Sequence, residues 1–154
     1  MTEAIAITEA TATDAPAIAA IHLAARRTAM PYLRQVHDDQ ETRAHFAAVV
    51  GDRPGCWWVA RRGGAIAGYA LLRGEWLEHL YVAPARQGAG VGAALLAHAK
   101  AMSPGALRLW TFQRNHVARA FYERFGFRAV EETAGENEEG EPDVQYAWDA
   151  GRGD

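Results

Sequence analysis

Cysteine is nearly absent. The 154 residues hold one, Cys56, which excludes an internal disulfide framework and suits a reducing compartment. Basic excess is missing too: 16 Lys and Arg stand against 19 Asp and Glu, a formal net charge of −3. Nothing in that balance directs the chain to nucleic acid or to an anionic membrane, and the basic residues are scattered rather than gathered in a patch. No apolar run approaches the ~18 residues of a membrane span. The stretch from Met1 to Ile21 carries acids and no basic segment ahead of its apolar part, so no signal peptide is read there. The six histidines (22, 37, 45, 79, 98 and 116) show no metal-ligand spacing among themselves or with Cys56, so no metal is expected. No Gly-x-Ser-x-Gly elbow is found for hydrolysis. These absences describe a soluble, cytoplasmic domain.

What is present is an ordinary globular composition, 49% hydrophobic and 23% charged, on a chain long enough to bury its own core. "EAIAITEAT" alternates as a strand. Thr13 or Asp14 can cap the helix that follows, with Pro16 in its first turn. A second helix is expected near Asp39 to Val50. "CWWVARR" and "AIAGYALLRG" flank Gly63-Gly64, a hairpin signal, and Cys56 reads as a buried strand residue beside its two tryptophans. Strands are then expected at 76–82, 107–112, and in "GFRAVEET" and "DVQYAWD". Helices fall between them, after a glycine loop and after Asn115. The pattern gives one α/β (α+β) domain over residues 1–150 with a mixed sheet. Residues 151–154 form a short loose tail, whose Arg-Gly-Asp triplet reads as chance.

The stretch "PARQGAGVGAALL", residues 84–96, raises the first functional question. Glycines before a helix leave backbone N–H groups bare, and the helix start carries partial positive charge, so an anion such as phosphate is the natural ligand. A ligand-free tight turn is the plain alternative. No Lys-Ser/Thr follows, so this is no nucleotide-hydrolysing P-loop. Gly88, Gly90 and Ala93 match Gly-x-Gly-x-x-Ala formally, but the acid expected about 20 residues beyond is replaced by "LRLWTF".

Gln87, Gly90 and Gly92 also spell Gln-x-x-Gly-x-Gly, between the strand "LYVAP" and the helical "AALLAHA". This resembles the acyl-CoA-binding motif of the GCN5-related N-acetyltransferases (GNAT). A second block, "NHVARAFYERFGF" at 115–127, is similar to that family's Asn-x-x-Ala-x-x-Phe-Tyr-Glu-x-x-Gly-Phe segment. The resemblance implies a sheet of about six to seven strands with helices on both faces. It also implies direct transfer of an acetyl group from acetyl-CoA to an amine. The cofactor's pyrophosphate would lie over the backbone N–H groups of Gly88, Ala89, Gly90, Val91, Gly92 and Ala93, with Gln87 of the same motif also assigned to the cofactor. Leu80, Tyr81 and Val82 would lend main chain to the pantetheine arm, and Asn115 would contact the cofactor or cap its helix.

The same resemblance gives Tyr122 the role of proton donor to the departing thiolate, a phenol being protonated at neutral pH. Core packing beside Phe121 and Phe125 is its other reading. For the base, "EWLEHLYV" offers Glu75, Glu78 and His79. In an unbroken strand 76, 78, 80 and 82 share one face and 77, 79 and 81 the other, and Glu78 is chosen, with His79 in reserve. Trp57, Trp58, Trp76, Trp110 and Tyr32 are candidate walls for an acceptor pocket, and Glu138, Glu139 or Asp143 could attract a cationic acceptor. That acceptor is a small-molecule or peptide amine, and monomer and homodimer stay open. A non-catalytic acyl-CoA-binding sensor is the alternative to the enzyme, and a dinucleotide-dependent oxidoreductase stands third.

Overall fold

The computed structural model describes residues 4–151, so most of the expected tail, with its Arg-Gly-Asp triplet, lies outside the described residues. A seven-stranded sheet forms the domain. Its strands are β1 (Ile5–Glu9), β2 (Trp57–Arg62), β3 (Ala65–Arg73), β4 (Trp76–Val82), β5 (Ala106–Phe112), β6 (Arg128–Thr133) and β7 (Asp143–Asp149), in the order β1-β2-β3-β4-β5-β7-β6. Four helices complete it: α1 (Ala15–Ala29), α2 (Asp39–Val49), α3 (Val91–Met102) and α4 (His116–Arg124). Strand neighbours are antiparallel except β4 and β5.

Local chemistry explains the boundaries. Asp14 holds the N-cap position of α1 without a side-chain capping bond, and Pro16 sits in the first turn. The Asp14 carboxylate accepts instead from the Thr11 N–H at 2.9 Å and from Arg61 at 2.8 Å. Asp38 and Glu41 make a reciprocal capping box on α2. Gly63 and Gly64, both at positive φ, turn the β2–β3 hairpin. Cys56 departs from expectation. It lies in the turn before β2 and is half-buried, not a buried strand residue.

Two cores sandwich the sheet. Ile18, Phe46, Trp57, Val59 and Tyr69 fill the side under α1 and α2. Leu95, Leu96, Leu107, Tyr122 and Tyr146 fill the side under α3 and α4. The helices thus lie on both faces, and α3 sits close because β3 carries Gly68. A Cβ there would come within 2.9 Å of the Tyr81 carbonyl oxygen and 3.0 Å of Val91 Cγ1. Gly68→Val is therefore expected to cost about 1–3 kcal/mol through overpacking, read as a lowered urea midpoint. An unchanged midpoint would show that α3 has slack against the sheet.

One irregularity matters for the site. β3 and β4 pair from Gly68↔Val82 to Leu71↔His79, then slip so that Leu72 meets Leu77. Glu78 is the extra residue of this bulge. Leu77 therefore joins Leu80 and Val82 toward the α3 core, while Tyr81 packs with the α1/α2 core. His79 faces that second core as well, beside His22 and Phe46. The simple odd–even alternation expected for 76–82 is corrected at this point: Leu77 does not share a face with His79 and Tyr81.

Candidate active site

β4 and β5 pair at a single position, Trp76↔Arg108, with the Arg108 N–H also donating to the Glu75 carbonyl at 2.7 Å. Beyond it the two strands have no ladder pair. The split opens on a cavity of about 590 Å³ lined on one side by Glu78 to Tyr81 and on the other by Leu109 to Phe112. Asn115 and Tyr122 of the α4 segment also line it. Backbone groups along the second half of β4 are thus left for a ligand to pair with.

At the end of β4 the chain passes through Pro84–Arg86 into the glycine loop. Gly88 (φ +79°) and Gly90 (φ +86°) adopt backbone angles that side-chain-bearing residues avoid. Gly90 caps α3, and the first intrahelical bond runs from the Ala94 N–H to the Gly90 carbonyl at 3.0 Å. The N–H groups of Val91, Gly92 and Ala93 precede that bond and have no helical acceptor. Gln87 leans back on β4, its amide 3.5 Å from the Val82 carbonyl. Arg62 of the hairpin donates to the Ala89 carbonyl at 3.3 Å. The loop is held from both sides, and the Gln87 N–H turns back to the Pro84 carbonyl at 3.5 Å. The N–H groups from Gly88 to Ala93 are left bare, the geometry that binds phosphate oxygens.

Tyr122 is buried on α4 among Phe121, Phe127 and Tyr146, yet it reaches the cavity. Burial, and then the nearby Tyr81 phenol, push its ionisation well above the usual phenol range, so its hydroxyl is protonated at neutral pH. Asn115 does cap α4, accepting the Ala118 N–H at 3.2 Å, and also lines the cavity. Glu78 lines it beside an ion-pair partner, Arg73 Nε at 3.2 Å, without an aligned hydrogen bond. Glu75 lies outside the cavity lining and faces Arg108 at 3.8 Å.

His79 lines the cavity too. Burial, reinforced by the charges of Arg26, His45 and Arg73, lowers its pKa to about 4. Of the expected aromatic walls only Trp110 lines the cavity. Trp57 is core, Trp58 stacks on His98 at 4.2 Å, Trp76 lies outside the lining, and Tyr32 lies under the Arg114 guanidinium at 3.8 Å. The acidic β6–β7 connection folds over the cavity mouth instead of standing free in solvent. Glu139 and Asp143 line the cavity, and Glu138 meets His37 at 3.5 Å.

Sequence reading missed Arg26 of α1. It lines the cavity, donating to Tyr81 Oη at 3.1 Å and to Glu139 Oε2 at 3.0 Å. Its signal was available: His22 and Arg26 follow Ile18 at four-residue steps, placing two polar groups on a buried helical stripe.

The fold, the split sheet and the loop are those of an acyltransferase domain. Residues 53–129 match the family model "Acetyltransferase (GNAT) domain". An uncharacterized N-acetyltransferase of Mycobacterium tuberculosis is 34% identical over 131 residues, covering 75% of this chain and 84% of that one. The peptidyl-lysine N-acetyltransferase YjaB of Salmonella typhimurium is 36% identical over 63 residues, 41% of this chain and 43% of that one. The solved apo form of YjaB from Escherichia coli shares the fold with a TM-score of 0.80 at 23% identity, over 96% of this chain and 99% of that one. A PaiA N-acetyltransferase from Thermoplasma acidophilum, solved in complex with coenzyme A, gives 0.70 at 17% identity over 95% and 99%. The chain belongs to the GNAT family of N-acetyltransferases.

Proposed function

We propose that the protein moves the acetyl group of acetyl-CoA directly to a primary amine carried by a small molecule or a peptide. The observation that carries this reading is the junction of the split β4–β5 pair with the bare N–H groups at the start of α3. An extended thioester arm fits the first, and its pyrophosphate fits the second. The residues assigned to the cofactor are Leu80, Tyr81 and Val82 by main chain, the loop from Gln87 to Ala93, Asn115 and Tyr122. A β4 N–H near Leu80 polarises the thioester carbonyl. Tyr122 gives its proton to the departing sulfur, and Glu78 takes the proton that the nitrogen loses on attack. The PaiA neighbour's complex supports the donor, and the YjaB relative's name supports an amine on a peptide lysine as one acceptor.

Gly90→Val tests the loop. Any Cβ at Gly90 meets nothing within 4 Å, so the damage is backbone strain of about 1–2 kcal/mol in a left-handed conformation. The expected result is acetyl-CoA affinity weakened by about tenfold or more, by calorimetry. Gly55→Val, at φ +79° in a remote turn with the same open space, should lose similar stability and keep its affinity. Equal affinity in the two variants would remove the loop from the binding site.

A further inference from the structure

A second cavity of about 730 Å³ lies between α1, α2 and the β6–β7 connection, lined by His22, His45 and Phe46 among others. His79, Arg26, Met30 and Glu139 line both cavities. His22 lines only the second of the two.

Between the imidazoles stands one hydroxyl. Tyr69 Oη is 2.9 Å from His22 Nδ1 and 2.9 Å from His79 Nδ1. Tyr69 is fully buried, and the two rings stack with centroids 5.3 Å apart. A phenol hydroxyl has one proton to give, so it donates to one ring and accepts from the other. One imidazole therefore carries its hydrogen on Nδ1 and the other on Nε2. Neither Nε2 has a hydrogen-bond partner among the described residues.

We propose that His79, Tyr69 and His22 form a proton relay that carries the acceptor ammonium's proton from the acetyl-transfer cavity to the second cavity. The proposal rests on the acetyl-transfer reading above. A primary amine of pKa near ~10 arrives at neutral pH as an ammonium and must lose one proton before it can attack. With His79 protonated on Nδ1, its Nε2 lone pair takes that proton. The Nδ1 proton passes to Tyr69 Oη, the Tyr69 proton to His22 Nδ1, and the His22 Nε2 proton to water. One proton enters, one leaves, and neither ring is left as an imidazolium. Once product has gone, water reverses the chain. His22 Nε2 regains a proton from solvent and His79 Nε2 releases one, so the ammonium's proton ends in bulk water. The later proton, lost as the nitrogen attacks, is the one assigned to Glu78. Tyr69 and His22 act here as positioning and relay groups, since neither touches substrate.

Nitrogen-15 NMR of histidine-labelled protein tests the chain itself. The expected result is opposite neutral tautomers for His22 and His79, with the pattern altered in Tyr69→Phe. Identical tautomers in the unsubstituted protein would overturn the relay. Turnover tests its use. In Tyr69→Phe and in His22→Asn, kcat should fall about 10- to 100-fold at pH 7, with KM for acetyl-CoA unchanged. The defect should shrink near pH 10, where the amine arrives already deprotonated. A defect in packing alone would persist at both pH values, and that result, like full activity at pH 7, overturns the relay. If the unsubstituted protein itself releases no thiol with any amine, the acetyl-transfer reading fails and the relay with it. Thiol release that both variants keep fails the relay alone.

Discussion

Tyr122→Phe is expected to lower kcat by about 100-fold or more while the acetyl-CoA dissociation constant stays within about twofold. Removing a positioned general acid typically forfeits 10²- to 10⁴-fold, roughly 3–5 kcal/mol of barrier. The substitution is clean structurally. Tyr122 makes no side-chain hydrogen bond among the described residues. A phenyl ring keeps the edge contacts to Phe121 and Phe127, at 5.2 and 5.5 Å between centroids. Stability should therefore hold within about 1 kcal/mol. Thiol release measured alongside calorimetry separates the two effects. An unaffected rate would return Tyr122 to the core, where its burial alone would have placed it.

The second large effect is loss of stability in mild acid. Burial, then the neighbouring His79, Arg26 and His45, lower the pKa of His22 to about 3. Burial and then Arg26, His45 and Arg73 lower His79 to about 4. Both folded values lie below the unfolded value of 6.5, so the unfolded chain binds more protons between them and stability rises with pH. The stabilisation is complete above pH 6.5 and drains as pH falls toward 4 and then 3. At pH 5 each imidazole has forfeited about 2 kcal/mol relative to pH 8. Urea midpoints at the two pH values read this directly. In a His22→Asn/His79→Asn variant the difference should largely vanish. A wild-type midpoint constant from pH 8 to pH 5 would mean that these rings are solvated.

Much of the architecture was readable from residues alone. The Gly63-Gly64 hairpin, the cap at Asn115, and the loop around Gly88 and Gly90 each rest on local chemistry that tertiary packing did not override, whereas the Asp14 carboxylate expected to cap α1 is drawn to Arg61 instead. The harder features were non-local. The bulge at Glu78 depends on how β3 and β4 fit together, and no residue in "EWLEHLYV" announces it. Its consequence is large, because it moves Leu77 into the α3 core while His79 keeps the Tyr81 face toward His22 and Glu78 stays at the cavity. For Arg26 the helical stripe marked a buried polar residue without showing what it meets, and Tyr69 was missed for the same non-local reason. Each gains its role from partners far along the chain, Tyr81 and Glu139 for one and two histidines for the other. Of the five aromatics considered for the acceptor wall, four lie outside the cavity lining: Trp57 fills the core, as strand aromatics commonly do, Trp58 packs on His98, Tyr32 lies under Arg114, and Trp76 is exposed.

Amine-dependent thiol release from acetyl-CoA tests the central claim most directly. The panel should hold a lysine-containing peptide, a peptide with a free N-terminus, a polyamine and an aminoglycoside. Acetyl transfer predicts thiol release that rises with at least one of these amines and saturates. Tight acetyl-CoA binding with release no faster than hydrolysis across the panel would contradict it and leave the split sheet as a binding site without turnover.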